Sequence, residues 1–223
     1  MEPFIIISAY NEETRIIKVL EDLKKHNYSK LIVIDDGSTD NTKQIAKKHG
    51  AIVLSHIINR GRGAAVQTGF DYALKNNAEI VVTMDGDGQH QAKDIESLIK
   101  PIKEKKVDVV LGSRFLEKRD KVPKLRKFLL KGSILAERIF LNGIKLTDAH
   151  NGFRAFSQEA IKKINITMND RAYCSDLVEQ IKKNKLKYAE VPVDIIYTKE
   201  TLKKGLSIEA IKVFIKMILK RYE

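Results

Sequence analysis

The sequence predicts an α/β fold in which a mostly parallel central sheet is covered by helices on both faces. Three observations lead there. Short apolar runs rich in Ile and Val recur at residues 4–8, 31–34, 52–54, 80–84 and 108–112. Segments at helical spacing separate the early runs. Four of the runs end in polar clusters, and in such sheets ligands bind beyond the carboxyl ends of the strands, at a switch in strand order.

Each apolar run is short and bounded by turn-forming or charged residues, as a buried strand requires. After the first, Ile16, Ile17, Leu20 and Leu23 recur at the period of one helix face. Thr42 to His49 and Ala64 to Leu74 supply the next two helices, and Asp176 and Glu179 fall on a later one that precedes Val191-Pro192-Val193. The four strand-end clusters are Ser8-Ala9-Tyr10-Asn11-Glu12, Asp35-Asp36-Gly37-Ser38, Asp85-Gly86-Asp87-Gly88-Gln89 and Gly112-Ser113-Arg114. All four are expected to converge on one cleft. The chain divides into a main domain at 1–204 and an amphipathic helix at 205–223, where Lys212, Lys216 and Lys220 stand against a stripe of Ile208, Ile211, Ile215 and Ile218. That helix suits an anionic membrane surface, and packing against a partner or the core fits it as well.

The 223 residues carry 41 Lys and Arg against 29 Asp and Glu, a net charge of +12 that favours anionic partners. Nucleic acid is disfavoured among them. Aromatic residues, the stacking platforms of such binders, are only 7%, and acids at the strand ends would repel phosphate chains. The single cysteine, Cys174, excludes an internal disulfide and suits a reducing cytosol. The opening Pro3-Phe4-Ile5-Ile6-Ile7 has no basic region ahead of it, and no uncharged apolar run approaches the roughly 20 residues that span a bilayer. The expectation is a soluble or peripheral protein.

Asp85 and Asp87 lie on a tight turn after a strand, with Gly86 between them, so both carboxylates can face one hard cation. Mg²⁺ or Mn²⁺ suits such a pair, because these ions are held by one or two carboxylates and completed by substrate phosphates. Gln89 offers a neutral oxygen to the same ion. Taken alone, the turn serves equally well as a plain connection between strand and helix. Asp35 and Asp36 are adjacent carboxylates that need a partner nearby, while Asp40 or Ser38 is placed to cap the helix that follows. Asn59-Arg60-Gly61-Arg62-Gly63-Ala64-Ala65 superficially matches a dinucleotide fingerprint, but Val66 takes the place of the third glycine and no acidic ribose ligand is evident. These glycines and arginines either let the backbone approach a donor or form a turn.

Ala9-Tyr10-Asn11-Glu12, Val33 to Ser38, Asn59-x-Gly61-x-Gly63-Ala64, Met84 to His90, Gly112-Ser113-Arg114 and Gly152-Phe153-Arg154 together resemble, in order, the family 2 inverting glycosyltransferases. Within that family the chain is similar to the dolichyl-phosphate and polyprenyl-phosphate sugar synthases, over roughly residues 3 to 205. The resemblance implies a GT-A fold, a GDP- or UDP-linked sugar donor, and a divalent ion, Mg²⁺ or Mn²⁺, at the Asp-x-Asp pair. Tyr10, Glu12, Ile34 and Asp36 are then expected around the nucleoside, with Asp85, Asp87 and Gln89 around the metal. Arg114 and Arg126 match arginines that hold phosphate in that branch, a task their planar fork suits. Ser8-Ala9 replaces the usual proline before the Tyr-Asn-Glu segment, and the family's later basic loop appears as Lys203-Lys204-Gly205-Leu206-Ser207, where Lys204 is placed to close over the diphosphate or to remain solvated.

The implied acceptor is a polyprenyl phosphate at the cytoplasmic membrane face, with a growing glycan as the alternative. A cationic stretch from Lys118 to Lys131 precedes the apolar series Ile134, Leu135, Ile139, Phe140 and Leu141, as a lipid phosphate at a membrane surface requires, although an amphipathic core helix would show the same pattern. A lipid phosphate is already ionised and needs cations, whereas a sugar hydroxyl needs a general base, for which Asp176 is the candidate. Many relatives carry transmembrane helices after the catalytic domain, so membrane residence here is expected to be peripheral or through a small membrane protein partner. Elongation of a surface polysaccharide is the second reading. A nucleotidylyltransferase is disfavoured because its glycine-rich opening is missing.

Overall fold

The computed structural model describes residues 2–116, 144–170 and 172–197. Arg126, Lys204 and the expected helix at 205–223 lie outside the described residues, as does the cationic and apolar stretch between Lys118 and Leu141.

Among the described residues seven strands form one sheet in the order β3-β2-β1-β4-β6-β5-β7. They are β1 (Phe4–Ala9), β2 (Leu31–Asp35), β3 (Ile52–Ser55), β4 (Ile80–Asp85), β5 (Val109–Ser113), β6 (Arg154–Ser157) and β7 (Tyr188–Pro192). Parallel pairing joins β1 to β2, β1 to β4, β2 to β3 and β5 to β7, while β6 runs antiparallel to both β4 and β5. The sheet is therefore mostly parallel, as the apolar runs predict. One correction concerns β3. Its apolar residues suggest a buried strand, but among the described residues no strand lies beyond it, and Ile52 is half exposed.

Side-chain alternation along the strands builds two apolar layers. Ile5, Ile7, Leu31, Val33, Ile80, Val82 and Met84 face α1 (Ile16–Lys25), α2 (Thr42–Lys48) and α4 (Ile95–Lys103). Ile6, Ile32, Ile34, Val81 and Phe156 face α3 (Arg62–Lys75), α5 (Gln158–Lys163) and α6 (Tyr173–Lys183). In α1 the buried set Ile16, Val19, Leu20 and Leu23 follows the expected helical period. Two lysines in the last turn of α1 complement its carboxyl end.

Helix α3 approaches its neighbours closely because it is built from small residues. A Cβ on Gly69 would lie 2.4 Å from Ile6 of β1, and one on Gly63 would lie 2.0 Å from the Met168 carbonyl oxygen. The Gly63 N–H also donates to Asn169 at 2.8 Å. Gly63→Ala must push the 168–169 segment away, so we expect the unfolding free energy to fall by about 1–3 kcal/mol, read from urea denaturation.

A candidate active site at the carboxyl edge

Strand order reverses direction at β1, which has β2 on one side and β4 on the other. A crevice at such a switch point is where α/β sheets bind ligands. The pairings Ala9 with Asp35 and Ser8 with Asp85 bring three strand ends level, and the Gly86 N–H donates to the Ser8 carbonyl at 2.9 Å. Because β6 is antiparallel, its beginning, Gly152-Phe153-Arg154, reaches the same edge. The ends of β1, β2 and β4 thus lie side by side, and β5, parallel to β4, carries Gly112-Ser113-Arg114 to the same edge two strands from β4.

The loops after β1 and β2 are laced together. Asn11 N–H donates to Ser38 Oγ at 3.0 Å, and Thr39 N–H returns a bond to Asn11 Oδ1 at 2.9 Å. Glu12 N–H donates to Thr42 Oγ1 at 2.8 Å, and Glu13 N–H to Asp40 Oδ2 at 3.2 Å. Of the two capping candidates it is Asp40 that accepts the Thr42 N–H, at 2.9 Å. Burial works to raise the Asp40 pKa, but the bonds from Thr42 prevail and lower it. Ser38 instead serves the first loop.

Strand parity explains the separate fates of the acids. Asp36 follows Ile32 and Ile34 on the α3 side, and its carboxylate holds the turn into that helix. Asp36 Oδ1 meets His56 Nδ1 at 2.6 Å and accepts the Arg60 N–H at 2.9 Å, while Oδ2 accepts the Gly61 N–H at 2.7 Å. Gly61 has φ +97°, and a Cβ there would strike the Asn169 carbonyl oxygen at 2.2 Å. What approaches the glycines of this motif is the chain's own 168–170 segment. Ile34 is fully buried in the layer beneath α3, so its side chain is core and only its backbone can face a nucleoside. Tyr10 is exposed at the end of β1, and Glu12 is buried beside Arg15, with Oε2 2.5 Å from Nε.

Asp85 likewise points to the α3 face. Its Oδ2 lies 3.0 Å from Arg62 Nη1 and 4.0 Å from His90 Nε2. Loss of solvent opposes the charge on Arg62, but the Asp85 carboxylate outweighs it and raises the guanidinium pKa. His90 Nδ1 accepts the Asp85 N–H at 3.1 Å, so the ring proton sits on Nε2, which faces Asn151 Oδ1 at 3.2 Å. Burial lowers the His90 pKa against the pull of Asp85, and the ring stacks on Phe153 with centroids 4.7 Å apart. A neutral imidazole thus braces the Asp85 turn. Gly152 completes the enclosure: a Cβ there would lie 3.2 Å from Tyr173 Oη and 3.3 Å from Asp85 Oδ1. Burial pushes the Tyr173 phenol up, and its ring lies 5.7 Å from the buried Arg154 guanidinium.

Asp87 is less enclosed and accepts the Gln89 N–H at 3.1 Å. The Gln89 side-chain amide donates to the Ile196 carbonyl at 3.3 Å, and the Ile196 N–H returns to the Gln89 carbonyl at 3.0 Å, tying the turn to the chain after β7. Asp35 and Asp85 flank β1 two strand spacings apart, about 10 Å, whereas Mg²⁺ ligands lie at about 2.1 Å. One ion therefore cannot take all four acids of the β2 and β4 ends. Among the described residues no cluster of three or more His, Cys, Asp or Glu is placed to hold an ion.

Two expected residues have partners within the chain. Arg114 donates from Nε and Nη2 to the two oxygens of Asp148, at 2.6 and 2.7 Å, and from its backbone N–H at 3.1 Å. Its fork is paired with a buried carboxylate. Asp176, the base candidate, accepts with Oδ2 the Thr167 N–H, the Thr167 hydroxyl and the Met168 N–H, at 2.7, 3.0 and 3.0 Å. It anchors the loop that packs on Gly63. The sequence reading overlooked Asp148, Asn151 and Tyr173; only the nearby Gly152-Phe153-Arg154 motif gave a signal for the first two.

A mostly parallel sheet with one reversed strand, a switch in strand order at β1, and an acidic turn at the end of β4 beside an arginine are the features of a GT-A fold. The model of glycosyl transferase family 2 matches residues 4–165, and the chain belongs to that family. It is 34% identical to UDP-N-acetylglucosamine–dolichyl-phosphate N-acetylglucosaminyltransferase of Methanococcus voltae, over 97% of this chain and 94% of that protein. It is 31% identical to dolichyl-phosphate beta-glucosyltransferase ALG5A of Trichomonas vaginalis, over 85% of this chain and 64% of that protein. Glucosyl-3-phosphoglycerate synthase of Mycobacterium tuberculosis, solved with Mn²⁺, UDP and glucosyl-3-phosphoglycerate, shares the fold with a TM-score of 0.74 at 17% identity, covering 96% of this chain and 76% of that one.

Proposed function

We propose that this protein transfers a sugar, with inversion, from a nucleotide diphosphate donor to a polyprenyl phosphate, using a divalent cation at Asp85 and Asp87. The observation that carries the reading is the pairing of Asp85 with Arg62 at the switch point, where a positive charge already occupies the place an ion would take. Two carboxylates on one turn, with the Gln89 amide beside them, are the hard oxygen donors that Mg²⁺ or Mn²⁺ takes, and the donor diphosphate completes the shell. When bound, the ion neutralises the leaving diphosphate.

The chain's own residues do the rest. His90 and Gly152 hold Asp85 in place, and Gly86 keeps the turn against β1. Tyr10, Glu12 and the backbone around Ile34 line the approach for the nucleoside, while Asp36 shapes that pocket by fixing the 56–61 loop. A lipid phosphate attacks without losing a proton, so the engagement of Asp176 elsewhere is no obstacle. The dolichyl-phosphate transferases among the relatives support this acceptor. No described helix is long and apolar enough to cross a membrane. Peripheral binding at the cytoplasmic face, directly or through a membrane partner, fits the +12 charge.

The test is incubation with a panel of UDP- and GDP-sugars, Mn²⁺ or Mg²⁺, and polyprenyl phosphate. A glycolipid and free nucleoside diphosphate are expected; product on a glycan alone would contradict the acceptor. By its position in the motif Arg126 grips the acceptor phosphate, so Arg126→Ala is expected to raise KM for the lipid phosphate roughly tenfold or more, as loss of a charge-assisted bond implies. An unchanged KM would move that role elsewhere.

A further inference from the structure

We propose that Arg62 is a built-in counter-cation that a metal ion must displace, which makes binding of metal and nucleotide cooperative. This inference rests on the proposed metal site. Arg62 is the first residue of α3, and its Nη1 stands 3.0 Å from Asp85 Oδ2. Gly152 and Tyr173 close another side of the carboxylate, and His90 is pinned by Asn151 and the Asp85 backbone. Of these neighbours Arg62 is the one able to leave, because its side chain is 42% exposed while that of His90 is 4% exposed.

An ion coordinated by Asp85 Oδ2 at about 2.1 Å would fall in the space of Nη1. Repulsion between the ion and the guanidinium, both drawn to that oxygen, disfavours their being there together, so without nucleotide the ion displaces Arg62 at a cost and binds weakly. A diphosphate reverses the balance. It brings negative charge to the ion, and its oxygens offer the released guanidinium a planar, bidentate partner. Each ligand thereby favours the other, and by linkage the factor is the same in both directions. Arg62 thus opposes the ion while it is paired with Asp85 and becomes a ligand-binding residue once the diphosphate has taken it over.

The experiment is a Mn²⁺ titration followed by electron paramagnetic resonance, with and without UDP or GDP, correcting for the metal–nucleotide complex formed without protein. The wild type, Arg62→Gln and Arg60→Gln are compared, with thermal unfolding of each as the check on folding. Arg60 loses the same charge two residues away, and its backbone rather than its side chain serves Asp36. Arg62→Gln is expected to bind Mn²⁺ alone roughly tenfold more tightly than the wild type and to gain less from nucleotide. Arg60→Gln should behave like the wild type. Should Arg62→Gln fold less well, Arg62→Lys is expected to fall between the two. Equal affinity of the wild type and Arg62→Gln for Mn²⁺ alone would overturn the displacement, as would an equal gain in Arg60→Gln. A wild type that takes up no Mn²⁺ even with nucleotide would overturn the metal site as well, which separates the two failures.

Discussion

Asp87→Ala is expected to lower kcat by about a thousandfold while leaving the fold intact. A metal clamp on a leaving diphosphate supplies several kcal/mol of charge stabilisation, and each 1.36 kcal/mol is about tenfold in rate. Asp87 is the less buried member of the pair, and among the described residues it accepts one hydrogen bond, from the Gln89 N–H. Its removal should therefore change the unfolding free energy by no more than about 0.5 kcal/mol. Asp85 would be a poorer test, because its loss strands Arg62 and loosens the His90 brace. Initial rates on a nucleotide sugar, taken beside a denaturation curve, separate the two effects; wild-type turnover in Asp87→Ala would mean that the turn serves only to join β4 to α4.

Asp148→Ala is expected to have the opposite signature, a loss of stability of about 3–5 kcal/mol, because it leaves a buried guanidinium without its carboxylate. Asp148 is fully buried and takes three bonds from Arg114. Glu190 of β7 accepts the Asp148 N–H at 3.1 Å and the Thr147 N–H at 2.9 Å, so the pair also ties β5 to β7 at the cleft. Set against a typical total of about 5–15 kcal/mol, the loss should bring unfolding close to working temperature. Replacing both partners with apolar residues is expected to recover part of it. The pH dependence has a definite sign. Burial acts to raise the Asp148 pKa, but the charge and hydrogen bonds of Arg114 win and hold it below the ordinary 3.8. A carboxyl whose folded pKa is depressed stabilises the fold above its unfolded pKa, and that share is lost as pH falls through the folded value. The wild type should thus lose this contribution only below about pH 4, and Asp148→Ala should lack that part of the acid transition.

Much of this architecture is legible in the sequence because parallel strands buried on both faces read as continuous apolar runs. The runs at 4–8, 31–34, 80–84 and 108–112 correspond to β1, β2, β4 and β5 to within a residue at either end. The reversed strand β6 is harder to see: Arg154-Ala155-Phe156-Ser157 is four residues long and places an arginine in the middle of a sheet. Its charge is tolerated through the Ala149 carbonyl, 2.7 Å from Nη2, and the Tyr173 ring. Nor does β7 alternate clearly, since all five of its residues are only partly buried.

The acids at the strand ends are legible as a group, but their division of labour is not. Which carboxylate meets which partner depends on strand parity and on contacts far apart in sequence. Asp36 reaches Gly61 across 25 residues, Arg114 reaches Asp148 across 34, and Gln89 reaches Ile196 across 107. No local pattern encodes such pairs. That Arg114 pairs with Asp148 and Asp176 with Thr167 and Met168 is likewise invisible in the sequence. Arg62 shows the reverse case, because its residue type was noticed as part of a glycine-rich turn while its partner, Asp85, lies 23 positions later in the chain.

The central claim is that the Asp85-Gly86-Asp87 turn receives a cation together with a nucleotide diphosphate. A crystal grown with Mn²⁺ and a nucleotide sugar, measured at the manganese absorption edge, tests it most directly. We expect one anomalous peak at Asp85 and Asp87, beside the diphosphate, with the Arg62 guanidinium moved off Asp85 onto the phosphates. A diphosphate bound without manganese at this turn, or manganese at a different edge of the sheet, would contradict it.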